Sequence, residues 1–149
     1  MRVLIWIMEG TWRATVATAA AFLPADADIT LLHVTESEVE AVARGARFGL
    51  LGRALQAPAE SLQVISEQSA RDLLAEAQQL LGRQAVREVR RGRVEREVVA
   101  AAEEMDLLVL ARDQGRAHRG PRSLGPTTRF VVDHAPCAML LVWPDGTAP

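Results

Sequence analysis

Arg112, Arg116, His118, Arg119 and Arg122 cluster in one short stretch, with Gly115 inside it and Gly125 just beyond. Guanidinium groups bind phosphate oxygens through paired, charge-assisted hydrogen bonds. A glycine lets backbone N–H groups approach an anion closely, and a helix opening after Gly125 would turn its partially positive end toward the same place. The chemistry on offer is therefore anion binding. Pro126 removes one N–H from that helix start, but proline suits the first helical position and leaves the amides and hydroxyls of Thr127 and Thr128 available. The plainer reading of the same residues is a solvated, arginine-rich loop.

Other chemistries leave the list on composition. The chain has no lysine, asparagine or tyrosine, and all its basic residues other than histidine are arginine. There is no Walker-type P-loop lysine, no Schiff base and no response-regulator lysine. Cys137 is the only cysteine, which forbids an intrachain disulfide and argues against a structural zinc site. His134 and Cys137 flank Ala135-Pro136, but two ligands make no metal site, and they read as packing at a helix stop. No Ser–His–Asp or paired-carboxylate arrangement stands out. A GxGxxG fingerprint is absent after the first apolar run, where Gly10 stands alone. Catalysis is not expected.

The formal net charge of −2 over 149 residues gives no support to non-specific nucleic-acid binding. MRVLIWIME is too short and too soon acidic for a signal peptide, and no apolar run is long enough to span a bilayer. A reducing cytoplasm and a single domain over 1–149 are the expectations.

The elements that would position such a site alternate in type. Short apolar runs at Val3–Met8, Ile29–Val34, Leu107–Leu110 and Ala138–Trp143 suit strands covered on both faces, as in a parallel sheet; Ala85–Arg90 is a weaker candidate for an edge strand. Between them, Trp12, Val16, Ala19, Ala20 and Leu23 follow one helical face ended by Pro24. Leu62, Ile65, Ser69, Leu73, Ala77 and Leu80 mark a second helix, with Gly82 as its stop. Val94, Val98, Ala102 and Met105 mark a third, and Leu124, Thr128, Val131 and Ala135 a fourth, closed by Pro136. Strands alternating with helices imply βαβ units and a doubly wound α/β fold. The stretch Glu36–Pro58, with Gly45, Gly49 and Gly52, reads as a helix-and-loop insert, each glycine weakening a helix by roughly 1 kcal/mol. His33 reads as a hydrogen-bonded core histidine, Trp6 and Trp143 as core or interface, and Trp12 as packing for its helix rather than a ligand contact.

Several stretches, in order, resemble the universal stress protein family. VLIWIMEGT is similar to that family's first strand and turn, and ITLLHV to its second strand. RGRVEREVVAAAEEMDLLVLA resembles its Gly-led third helix and following strand, and GPTTRFVVDHAPCAMLLV its closing helix, His-Ala-Pro-Cys and last strand. The resemblance spans nearly all the chain except Glu36–Ser61. It implies an open parallel five-stranded sheet in the order 3-2-1-4-5, a Rossmann-like nucleotide α-hydrolase type, and usually a homodimer. Some members bind ATP through a G-x2-G-x9-G-(S/T) signature, and others bind no nucleotide. Here Gly115 and Gly125 keep the ten-residue step, the first glycine is replaced by Ala111 or Arg112, and the final Ser/Thr is Pro126. In the first turn the usual Pro is Ile7 and the usual Asp is Glu9.

The resemblance implies ATP or another adenine nucleotide as ligand. Ile7, Met8, Glu9 and Val34 would lie near base or ribose, and Ala111, Arg112, Gly115, Arg116, Gly125, Pro126 and Thr127 near the phosphates. In an open parallel sheet ligands sit beyond the carboxyl ends of the strands where the order reverses, so the crevice is expected between Met8–Thr11 and Ala111–Gly125. The resulting expectation is a regulatory nucleotide-binding protein of the stress response, with no metal of its own. A nucleotide-free homodimeric module is the alternative, and a nucleotide hydrolase a third. The homodimer would form through Ala138–Trp143, whose apolar edge is a liability unless covered.

Overall fold

This computed structural model describes residues 1–36, 59–112 and 124–144, with side chains of the second helix described from Glu67 onward. The insert expected over Glu36–Pro58 lies, apart from Glu36 itself, outside the described residues.

Strands and helices alternate: β1 (Arg2–Trp6), α1 (Trp12–Phe22), β2 (Asp28–Thr35), α2 (Ala59–Leu81), β3 (Val86–Arg91), α3 (Val94–Ala102), β4 (Leu107–Ala111), α4 (Pro126–His134) and β5 (Ala138–Val142). All pairings are parallel, Val3 lying between Ile29 and Leu107, and the order is β3-β2-β1-β4-β5. This is the doubly wound α/β architecture expected from the sequence. Central β1 is buried from Val3 to Trp6, which is why it is apolar at every one of those positions.

Two cores follow from the two faces. On one, Val3, Ile5, Ile29 and Leu31 meet Trp12, Val16 and Ala19 of α1 and Leu74 and Ala77 of α2. On the other, Leu4, Trp6, Leu32 and Val34 meet Val98 and Ala102 of α3 and Val131 of α4. Trp6 and Trp12 are both core residues, 2% and 7% exposed, whereas Trp143 is half exposed.

Some boundaries differ from the periodicity reading. The first strand stops at Trp6, not Met8, because the Met8 carbonyl accepts from the Thr11 and Trp12 N–H groups and turns the chain into α1. Gly10 takes φ +85° in that turn, a conformation that costs other residues a steric penalty. The α3 helix ends at Ala102 and the last strand at Val142. In α2 the buried side is Ala70, Leu74, Ala77 and Leu81, so Ser69 and Leu80 are exposed and the predicted face is rotated by one residue; Ala20 of α1 is exposed likewise. Gly82 does end α2, at φ +72°, its N–H donating to the Gln78 and Gln79 carbonyls, as a C-terminal glycine cap does. Among the described residues no helix is long and apolar enough to cross a membrane.

Candidate functional site

At the carboxyl end of the sheet, strand ends and turns set the geometry. After β1 the Ile7 N–H still donates to the Leu32 carbonyl at 2.8 Å, so the ladder runs one residue past the strand before Met8 turns away. His33 of β2 reaches across the same gap, its Nδ1 2.9 Å from the Ile7 carbonyl oxygen. Thr35, at the end of β2, donates its hydroxyl to the Arg90 carbonyl at 3.3 Å.

Above these residues lies a cavity of about 580 Å³. Its floor is Trp6, Ile7, Met8 and Glu9 from β1 and its turn, together with His33, Val34, Thr35 and Glu36. Its walls are Ser69 and Ala70 of α2, Val94 of α3 and Thr127 of α4. Segments far apart in sequence therefore meet at one spot. The polar lining consists of two carboxylates, one imidazole and three hydroxyls, and backbone runs between them.

Of the predicted site residues, Ile7, Met8, Glu9, Val34 and Thr127 line this cavity. Ala111 does not: its methyl group is fully buried in the core shared with α1. Arg112 comes directly after β4, its N–H donating to the Val142 carbonyl at 2.9 Å. Gly125 is the N-cap of α4 with φ −63° and ψ 163°, and Pro126 occupies the first turn. The loss of one N–H there is real, but the proline adds no backbone strain. Thr127 is half-buried at the cavity, whereas Thr128 is fully buried. The Thr128 hydroxyl has no hydrogen-bond partner among the described residues, so it does not supply the ligand donor that the sequence offered. Gly115, Arg116, His118, Arg119 and Arg122 lie outside the described residues.

The cavity opens over the ends of β1 and β2; most of the far side of the crevice expected between Met8–Thr11 and Ala111–Gly125 lies outside the described residues. The sequence reading missed His33, Thr35, Glu36, Ser69, Ala70, Val94 and Trp6 as lining residues. Proximity to the end of ITLLHV was the one available signal, and it needed the strand end to be known. His134 bonds the Phe130 carbonyl through Nδ1 at 2.8 Å and stacks on the Phe130 ring at 4.0 Å. Burial raises the Cys137 thiol above its ordinary pKa, partly offset by backbone hydrogen bonds, so thiolate chemistry is disfavoured there.

A larger cavity, of about 730 Å³, lies at the opposite end of the sheet between Arg2, Asp26, Asp28, Arg83, Val86 and Met105. Size does not make it the better phosphate site. The helices α1 and α2 end there, presenting the partially negative ends of their dipoles, and Asp26 and Asp28 line it. The carboxyl end, where α4 begins, has the favourable polarity.

The model of the universal stress protein family matches residues 9–142. No curated protein matches the chain. Among solved structures, hypothetical protein MJ0577 is 17% identical, with a TM-score of 0.73 over 98% of this chain and 97% of that one. A universal stress protein in complex with cAMP is also 17% identical, with a TM-score of 0.63 over 97% and 98%. A universal stress protein family member from Arabidopsis thaliana with AMP bound is 17% identical, with a TM-score of 0.61 over 98% and 93%.

Proposed function

The chain belongs to the universal stress protein family, and from that premise we propose that it binds an adenine nucleotide at the carboxyl end of its sheet and acts as a regulatory protein rather than a catalyst. The observation that carries this reading is the cavity of about 580 Å³, within the range of roughly 300–1,000 Å³ usual for small-molecule sites. Its donor set fits a nucleoside. The Glu9 carboxylate is an acceptor for ribose hydroxyls, Val34 and the half-buried Met8 are apolar surface for a base, and Thr127 stands at the start of α4. The N-terminal amides of that helix have no intrahelical partners and suit a phosphate. The fold is shared with structures that hold cAMP and AMP, which supports adenine as the base.

The same reading includes a homodimer through β5, since Met139 is 37% exposed and Trp143 50% beside an edge with no strand beyond it among the described residues. Calorimetric titration with AMP and ATP tests the ligand. Binding in the micromolar to low millimolar range, weakened at least tenfold by Glu9→Ala, is the expected result. No heat and no thermal shift at millimolar nucleotide would leave the nucleotide-free dimer in its place.

A further inference from the structure

The tautomer of His33 is decided by its partner. A carbonyl oxygen can only accept, so the Nδ1 that lies 2.9 Å from Ile7 O carries the proton, and the Nε2 of the neutral ring is left as an acceptor. The ring is only half-buried and lines the cavity. Its neighbours in that lining are also acceptor-rich. Glu9 and Glu36 are carboxylates, and the Thr35 hydroxyl donates its proton to Arg90 O. No arginine is among the described lining residues at this end of the cavity. Beside His33 a ligand edge entering between β1 and β2 therefore meets mainly acceptors, which donors on the ligand would match.

Building on the nucleotide reading above, we propose that His33 is a specificity-determining residue: its Nε2, on the ring edge away from Ile7 O, accepts a hydrogen bond from the 6-amino group of the purine and so selects 6-amino over 6-oxo purine nucleotides. Both halves of the imidazole then have work. Nδ1–H locks the ring to the β1 backbone, which removes rotamer freedom before the ligand arrives. Nε2 reads the base. A 6-oxo group at the same place would set one acceptor lone pair against another, leaving both unsatisfied in a partly dry cavity.

The test separates the two nitrogens. His33→Asn places an amide N–H where Nδ1 was and removes Nε2, keeping the bond to Ile7 O. His33→Phe removes both. ATP and ITP, which differ only in the amino or oxo group and the N1 proton, are titrated calorimetrically into the full-length wild-type protein and both variants, with urea unfolding measured in parallel. For the wild type, ATP is expected to bind at least about tenfold more tightly than ITP. In His33→Asn that ratio should fall to about one while stability stays close to wild type, and His33→Phe should lose both stability and discrimination. Equal affinity of the wild type for ATP and ITP would overturn the role of His33 while leaving nucleotide binding intact. A ratio retained in His33→Asn would overturn it too, making the histidine a structural clamp alone. Failure of both nucleotides to bind the wild type is a different outcome, and it would remove the nucleotide reading together with this one.

Discussion

Thr127 and Thr128 are neighbours of the same residue type, but helix geometry turns them about 100° apart. The first stands at the cavity and the second points into the core, its hydroxyl without a partner among the described residues. A buried hydroxyl without a partner costs on the order of 1 kcal/mol or more. Thr128→Val, which keeps the shape and removes that oxygen, should therefore leave nucleotide affinity within twofold and raise stability by up to about 1 kcal/mol. Thr127→Val should do the reverse, weakening ATP binding severalfold with stability changed by less than about 0.5 kcal/mol. Urea unfolding and calorimetry on the two variants check the pair, and a clearly destabilised Thr128→Val would mean that its hydroxyl is satisfied after all. His33 shows how far residue-level reading reaches. Its place in an apolar strand foretold a hydrogen bond, but only the end of β1 at Trp6 shows that the bond goes to Ile7 and that the ring lies against a cavity.

At the level of elements, β5 is the feature with consequences. AMLLVW reads as an almost wholly apolar edge, and an uncovered edge of that kind invites pairing. Within the folded chain the segment divides: Leu140 and Leu141 are half-buried against the two cores of their own molecule, and Val142 is 6% exposed. Met139 and Trp143 are the large apolar side chains left facing outward. A charge at Leu141 would damage the monomer as well as any interface, so Met139→Glu is the cleaner probe. The proposed dimer predicts that sedimentation of the wild type at tens of micromolar gives twice the chain mass, and that Met139→Glu sediments as a folded monomer. A monomeric wild type would contradict the interface. The helices teach the same lesson about faces. In α2 the pattern Ser69, Leu73, Ala77, Leu80 is as regular as the true Ala70, Leu74, Ala77, Leu81, and only packing against β2 and α1 chooses between them.

For the whole molecule, the candidate site exists only when the chain is folded. Its lining comes from the turn after β1, the end of β2, and single turns of α2, α3 and α4, which no unfolded chain holds together. A ligand there binds the native state alone and must stabilise it by linkage, by about 2.7 kcal/mol at a hundredfold excess over Kd. For a chain of this size that is a rise in Tm of roughly 5–10 °C. Differential scanning with AMP or ATP at concentrations that saturate in calorimetry should show it. Saturation without any rise in Tm would place the nucleotide on a surface that the unfolded chain also offers.

The sequence by itself determined the order and type of the elements, because short continuous apolar runs, period-3.6 patterns, Pro24, Gly82 and Pro136 are local signals that packing did not override. With the family motifs it also pointed to the ends of β1 and β2 and the start of α4, which line the candidate cavity. The tertiary structure alone decided which side chains meet there. Ala111 and Thr128 are drawn into the cores, because a strand end and a helix start each have one face committed to burial. His33, Ser69 and Val94 are brought to the cavity from elements whose local sequence carries no trace of one another. Contacts of that range depend on strand register and helix rotation, which are set by the global fit of two cores around one sheet.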